Sequence, residues 1–195
     1  MRIIGVTGGV GAGKSTVLEM LKQEFGAELL VADEIGKRLM EPDGACFRPV
    51  AELFGREILT ETGGLDRKKI AELVFQDRDR LTALNQIIHP AVRAEIEKRL
   101  SDLERDGKET AVIESAILLE AGYEEICGEI WYIYADCETR IRRLEASRGY
   151  SRKKCLEVMS NQLPEEAFRE KATAVIDNSG DAARTKEQIA TLMAL

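Results

Sequence analysis

Short apolar runs alternate with longer amphipathic stretches along this chain. Ile3-Ile4-Gly5-Val6 is the first run and reads as a buried strand. Behind it, Ser15 to Phe25 places Val17, Leu18, Leu21 and Phe25 at helical spacing. Glu28-Leu29-Leu30-Val31 reads as a short second strand ending at Asp33. Residues 34–107 are mostly helical in character, with turns at Glu41-Pro42-Asp43-Gly44 and Thr62-Gly63-Gly64 and a stop at Asp106-Gly107. There Ala71, Val74, Phe75, Leu81, Leu84, Ile87 and Ile88 recur at helical spacing and are expected in a core. Thr110-Ala111-Val112-Ile113, Glu129 to Tyr134 and Ala174-Val175-Ile176-Asp177 read as three further strands, and a helix from about Ala182 closes the chain.

Strands interleaved with helices imply a parallel sheet covered on both faces. The gap between the second and third strands is too long for a simple crossover, so it is expected to carry an inserted helical subdomain. The fold class expected is α/β.

Composition narrows the class. The chain has 195 residues, 44% hydrophobic and 32% charged, which suits one globular domain with an insert. Its net charge of −7 argues against a nucleic-acid platform. Cys46, Cys127, Cys137 and Cys155 form no C-x-x-C pair, and His89 is the only histidine, so a zinc site is not expected. The cysteines are expected as small core residues in a reducing cytoplasm. The chain opens on a strand rather than a signal peptide, and no apolar run is long enough to span a bilayer.

The candidate chemistry begins at Gly8-Gly9-Val10-Gly11-Ala12-Gly13-Lys14-Ser15, a G-x-x-x-x-G-K-S pattern set between strand and helix. That context defines a phosphate-binding P-loop. Its glycines allow consecutive N–H groups to point at an anion, and the helix N-terminus adds its positive dipole end. Lys14 is expected to reach the β- and γ-phosphates of a nucleotide, with the Ser15 hydroxyl on Mg²⁺. No N-K-x-D-type base-reading segment accompanies the loop, and a small chain with a helical insert suits a small-molecule kinase.

Asp33 lies just past the second strand, where ligands bind in open α/β sheets. Position alone leaves two readings open: a base for an attacking hydroxyl, or an N-cap. Arg140, Arg142, Arg143, Arg148 and Arg152 cluster later, and a basic lid would spread charge over a transferring phosphoryl group.

Taken together, the segments resemble the dephospho-CoA kinases over nearly the whole chain. The resemblance rests on Val6 through Val17, Ala32-Asp33-Glu34-Ile35, Gly64-Leu65-Asp66-Arg67 and Val74-Phe75. It extends through Leu84-Asn85-Gln86-Ile87-Ile88-His89-Pro90-Ala91-Val92, Ile117-Leu118-Leu119-Glu120, Gln162 and Val175-Ile176-Asp177-Asn178-Ser179-Gly180. It implies ATP-dependent phosphorylation of the 3′-hydroxyl of dephospho-CoA, giving CoA and ADP, the final step of coenzyme A biosynthesis. It implies a three-layer α/β/α P-loop NTPase core (about 1–33, 108–140 and 166–195), a helical CoA-binding insert (about 34–107) and a lid (about 141–165). Gly11, Ala12, Gly13, Lys14, Ser15 and Thr16 would bind the ATP phosphates, with Mg²⁺ at Ser15. Asp33, Lys14 and Arg143 would be catalytic. Expected partners are the small-molecule substrate alone, with no nucleic acid or membrane, in a cytoplasmic monomer or weak homo-oligomer.

The chain departs from the family pattern in three places. Val31 replaces the first aspartate of a D-A-D segment, so only Asp33 carries that acidic role. Ser115-Ala116 precede Ile117 where a proline is expected, and Ser147 stands where an arginine would follow Arg143, leaving the lid contact open among Arg143, Arg148 and Arg152. His89-Pro90 reads as an N-cap followed by proline at the first helical position, or as a pair near the acceptor. Glu114 reads as a partner of a Mg²⁺-bound water or a cap, and Asn178 as a neighbour of the adenine. The rivals are a kinase of another small molecule, such as a nucleoside monophosphate, and a non-catalytic nucleotide switch.

Overall fold

The apolar runs become strands β1 (Arg2–Thr7), β2 (Glu28–Val31), β3 (Thr110–Glu114), β4 (Glu129–Tyr134) and β5 (Ala174–Asp177) in a computed structural model that describes residues 1–195. The sheet order is β2-β3-β1-β4-β5. β1 pairs in parallel with β3 and β4, and β4 with β5. Near-continuous apolar sequence suits such strands because both faces are covered. Ile4, Val6, Val112, Ile113, Trp131, Ile133 and Ile176 are all fully buried. At the start of β1, Arg2 donates to both carboxylate oxygens of Glu129, at 2.6 and 2.9 Å, and Trp131 donates to Oε2 at 3.0 Å. No helix is long and apolar enough to cross a membrane.

The chain divides into two compact units, Met1–Leu30 with Glu104–Leu195, and Val31–Leu103. The first unit holds the sheet with α1 (Lys14–Phe25), α6 (Cys137–Arg148), α7 (Arg152–Ser160), α8 (Glu165–Lys171) and α9 (Ala182–Met193). Asp136, Ser151 and Asp181 cap α6, α7 and α9 by accepting backbone N–H bonds, so each start is written in the sequence. The second unit holds α2 (Ala32–Leu39), α3 (Phe47–Phe54), α4 (Arg67–Gln76) and most of α5 (Arg78–Arg105). Its core gathers Cys46, Val50, Phe54, Ile58, Ile70 and Leu84, with Leu73, Val74, Ile87 and Ile88 packed against them.

Several expectations are corrected. The second strand stops at Val31, not at Asp33, because α2 starts at Ala32 to bury Ala32, Ile35 and Gly36. Asp33 is therefore the second helical residue, and Val31 occupies the cap position, so the capping reading of Asp33 fails. His89-Pro90 does not open a helix: Pro90 lies inside α5, a helix of 28 residues. An interior proline costs about 3 kcal/mol. Burial of Val92, Ile96 and Leu100 beyond it offsets that, at about 1.5–3 kcal/mol each.

Phe75 is 92% exposed, and Ala71 and Leu81 also lie at the surface. Ile70, Leu73 and Val74 already form the buried face of α4, and Phe75 falls about 140° round from Ile70. Of the four free cysteines, Cys46 and Cys155 are core residues, Cys127 is half-buried and Cys137 is exposed at the start of α6. Burial, with a smaller effect from Glu124, pushes the Cys127 thiol up to about 12.

Candidate phosphate-binding site

β1 ends at Thr7 and the chain turns at once. A Cβ on Gly8 would lie 2.5 Å from the Ile133 carbonyl oxygen, so the loop starts hard against β4. Ala12 N–H closes a turn onto Gly9 O at 3.1 Å. Gly13 then caps α1 in the left-handed conformation, with no side chain satisfying the first amides. An unsatisfied helix N-terminus at the end of a glycine loop is an anion site.

Lys14 and Ser15 form the first turn of α1. Lys14 Nζ donates to Gly8 O at 2.9 Å and lies 3.6 Å from Glu114 Oε1. The two side chains are 16% and 12% exposed. The ammonium is thus folded over its own loop, held by a backbone carbonyl and a carboxylate at the end of β3. Glu114 opens no helix, and its role as a cap is excluded. Ser15 and Thr16 are exposed. No protein group bonds the Ser15 hydroxyl, and no cluster of three or more His, Cys, Asp or Glu side chains stands ready to hold a metal. That donor set fits Mg²⁺, which takes few protein oxygens and keeps water and phosphate ligands.

Two further groups hold the loop. Arg143 donates through Nη1 to Ala12 O at 3.1 Å and through Nη2 to Asn178 O at 2.8 Å. Asn178 Nδ2 donates to Ala12 O at 2.8 Å, and Thr185 Oγ1 donates to Asn178 Oδ1 at 2.9 Å. On the other side, Gln162 Oε1 accepts from Val10 N–H at 2.8 Å and from Arg140 Nη2 at 3.1 Å, while Arg140 Nε donates to Val10 O at 2.8 Å. Burial pulls the Arg140 guanidinium below its ordinary value; an arginine nonetheless stays charged.

The structure therefore brings Gly11, Ala12, Gly13, Lys14, Ser15, Thr16 and Arg143 together in the first unit. It separates the lid arginines. Arg148 lies over the Tyr150 ring at 5.8 Å, and Arg152 makes a surface pair with Glu138. Asp33 belongs to the second unit, exposed in the first turn of α2. Gln162 contacts the loop directly and Thr185 reaches it through Asn178, neither assigned by sequence reasoning, while Arg140, one of the clustered arginines, proves to bond Val10 of the loop. Gln162 carried a signal in its family block; Thr185 carried none.

A family profile described as dephospho-CoA kinase matches residues 2–184. A dephospho-CoA kinase of Carboxydothermus hydrogenoformans is 40% identical over 98% of this chain and 92% of its own length. One of Geobacter sulfurreducens is 36% identical over 100% and 98%. A crystal structure of a Thermus thermophilus protein, 34% identical, matches with a TM-score of 0.85 over 99% of this chain and 96% of that one. A shikimate kinase of Acinetobacter baumannii, 17% identical, matches at 0.56 over 100% and 93%, a likeness of P-loop kinase fold alone. With a phosphate loop built as above and relatives of this identity along its full length, the chain belongs to the dephospho-CoA kinase family.

Proposed function

We propose that the protein transfers the γ-phosphoryl group of ATP to the 3′-hydroxyl of dephospho-CoA, giving CoA and ADP. The observation that carries this reading is the glycine loop itself, with Lys14 Nζ folded onto Gly8 O above an uncapped helix N-terminus. Amides of the loop and Lys14 bind the ATP phosphates and take up charge as the bond to the leaving β-phosphate oxygen lengthens. Ser15 would hold Mg²⁺, which would supply positive charge to neutralise the phosphates. Asp33 orients the acceptor hydroxyl and accepts its proton as that oxygen bonds to the γ-phosphorus. Arg143 supplies positive charge beside the loop. The helical segment of about 34–107 takes the dephospho-CoA, and the segment of about 141–165 covers the nucleotide. Four free thiols suit a cytoplasmic enzyme, working as a monomer or weak homo-oligomer.

The test is ADP release with ATP and Mg²⁺ in the presence of dephospho-CoA, AMP, CMP or no acceptor. Turnover confined to dephospho-CoA is expected. Turnover with another acceptor instead moves the chain to a different specificity, and ATP binding without turnover on any acceptor supports a nucleotide switch.

A further inference from the structure

We propose that Asn178, held in place by Thr185, is a positioning residue that aims the Gly13 amide into the phosphate cradle and so sets nucleotide affinity. The inference rests on the nucleotide reading of the loop. In a planar trans peptide, the carbonyl of one residue and the N–H of the next point to opposite sides. The Ala12 carbonyl is held by Asn178 Nδ2 at 2.8 Å and by Arg143 Nη1 at 3.1 Å. The Gly13 N–H, on the same peptide, is thereby turned away from Asn178. A second contact from Nδ2, to Gly13 O at 3.4 Å, brackets the residue. The fit is close, since a Cβ on Gly13 would collide with Asn178 Nδ2.

An amide side chain can be turned two ways, and only one of them works here. Reversed, Asn178 would set Oδ1 against the Ala12 oxygen, acceptor against acceptor. Thr185 decides the matter. Its Oγ1 lies 2.9 Å from Asn178 Oδ1 and 3.3 Å from Asp181 O, and its single proton goes to the nearer oxygen. Asn178 is 3% exposed and Thr185 fully buried, so neither group has bulk water as an alternative partner. The Asn178 carbonyl also accepts from Arg143 Nη2 at 2.8 Å, which ties both donors on Ala12 into one unit. Thr185 lies on α9 and acts on the loop only through Asn178.

The test compares Thr185→Val and Thr185→Ser with the unaltered protein, by calorimetric titration with ATP and Mg²⁺, thermal unfolding and steady-state kinetics. Valine keeps the shape and removes the hydroxyl; serine keeps the hydroxyl and removes a buried methyl. Both lower the melting temperature. Thr185→Val is expected to bind ATP about 10-fold more weakly, the scale of one hydrogen bond, and to raise KM for ATP more than it lowers kcat. Thr185→Ser is expected to bind within about twofold of the unaltered protein. Asn178→Asp, which keeps size but sets oxygen against Ala12 O, is expected to weaken ATP at least as much as Thr185→Val. Unchanged affinity in Thr185→Val or Asn178→Asp overturns the inference. Equal weakening in the valine and serine variants also overturns it, by marking a structural role only. Absence of ATP binding in the unaltered protein defeats the nucleotide reading itself, and this inference with it.

Discussion

Replacing Gly8 with alanine tests whether the loop is built by close approach to β4 or merely by backbone freedom, and Gly26 supplies the control. Both glycines have positive φ, +153° and +65°. A Cβ on Gly26 meets nothing within 4 Å, so Gly26→Ala bears only the left-handed backbone cost of about 1–2 kcal/mol. Gly8→Ala bears a backbone cost of about 1–3 kcal/mol and also drives its Cβ to 2.5 Å from Ile133 O. That carbonyl cannot swing aside, because β4 is paired with β1 on one side and β5 on the other. Overpacking of this kind adds about 1–3 kcal/mol. At about 2–4 °C per kcal/mol for a chain of this size, Gly26→Ala is expected to lower Tm by roughly 4 °C and Gly8→Ala by roughly 10 °C. Function separates them further. Gly8 O anchors Lys14 Nζ at 2.9 Å, so moving it is expected to weaken ATP binding about 10-fold or more, while Gly26→Ala binds normally. Thermal unfolding followed by circular dichroism and calorimetric ATP titration read both effects. Equal Tm losses for the two variants, or normal ATP affinity in Gly8→Ala, would refute the close-approach argument.

Asp33→Asn is expected to cut kcat by about 100-fold or more with ATP affinity unchanged, the scale of a lost general base; normal turnover per folded enzyme would remove Asp33 from the chemistry. Lys14→Ala is expected to abolish ADP release, whereas Arg152→Ala, at a surface pair with Glu138, is expected to leave turnover and Tm unchanged. A large loss of turnover in Arg152→Ala would return it to the phosphate site. Acid stability follows from three carboxylates held below their ordinary range: Glu129 by Arg2, Asp136 by the Thr139 backbone N–H, and Asp177 by the Ser179 hydroxyl. Their lowered folded values mean stability is fully present above the ordinary range near about 4 and is lost as pH falls through the lowered values. The urea midpoint is expected to fall steeply below about pH 4, and a midpoint constant from pH 5 to pH 2 would count against these pairings.

Much of this was legible in the chain. Near-continuous apolar runs carried β1, β3, β4 and β5, because a strand buried on both faces needs no polar alternation. The G-x-x-x-x-G-K-S pattern carried the loop, because its work is done by backbone amides whose freedom is set by local glycines. Less was legible where burial overrode local rules. Pro90 says helix start by local preference, yet α5 runs through it because apolar residues on both sides are buried. Phe75 says core by its type, yet α4 has already spent its buried face on Ile70, Leu73 and Val74.

By itself, then, the sequence determined which segments form strands, where the phosphate loop lies and which chemistry its residues allow, all of which depend on neighbours a few positions apart. Only the tertiary structure decided the strand order, the turning of Lys14 toward Glu114 and the brace on Ala12. Asn178 reaches Ala12 across 166 positions of chain, and a hydrogen bond between such partners leaves no periodicity, spacing or composition by which to find it.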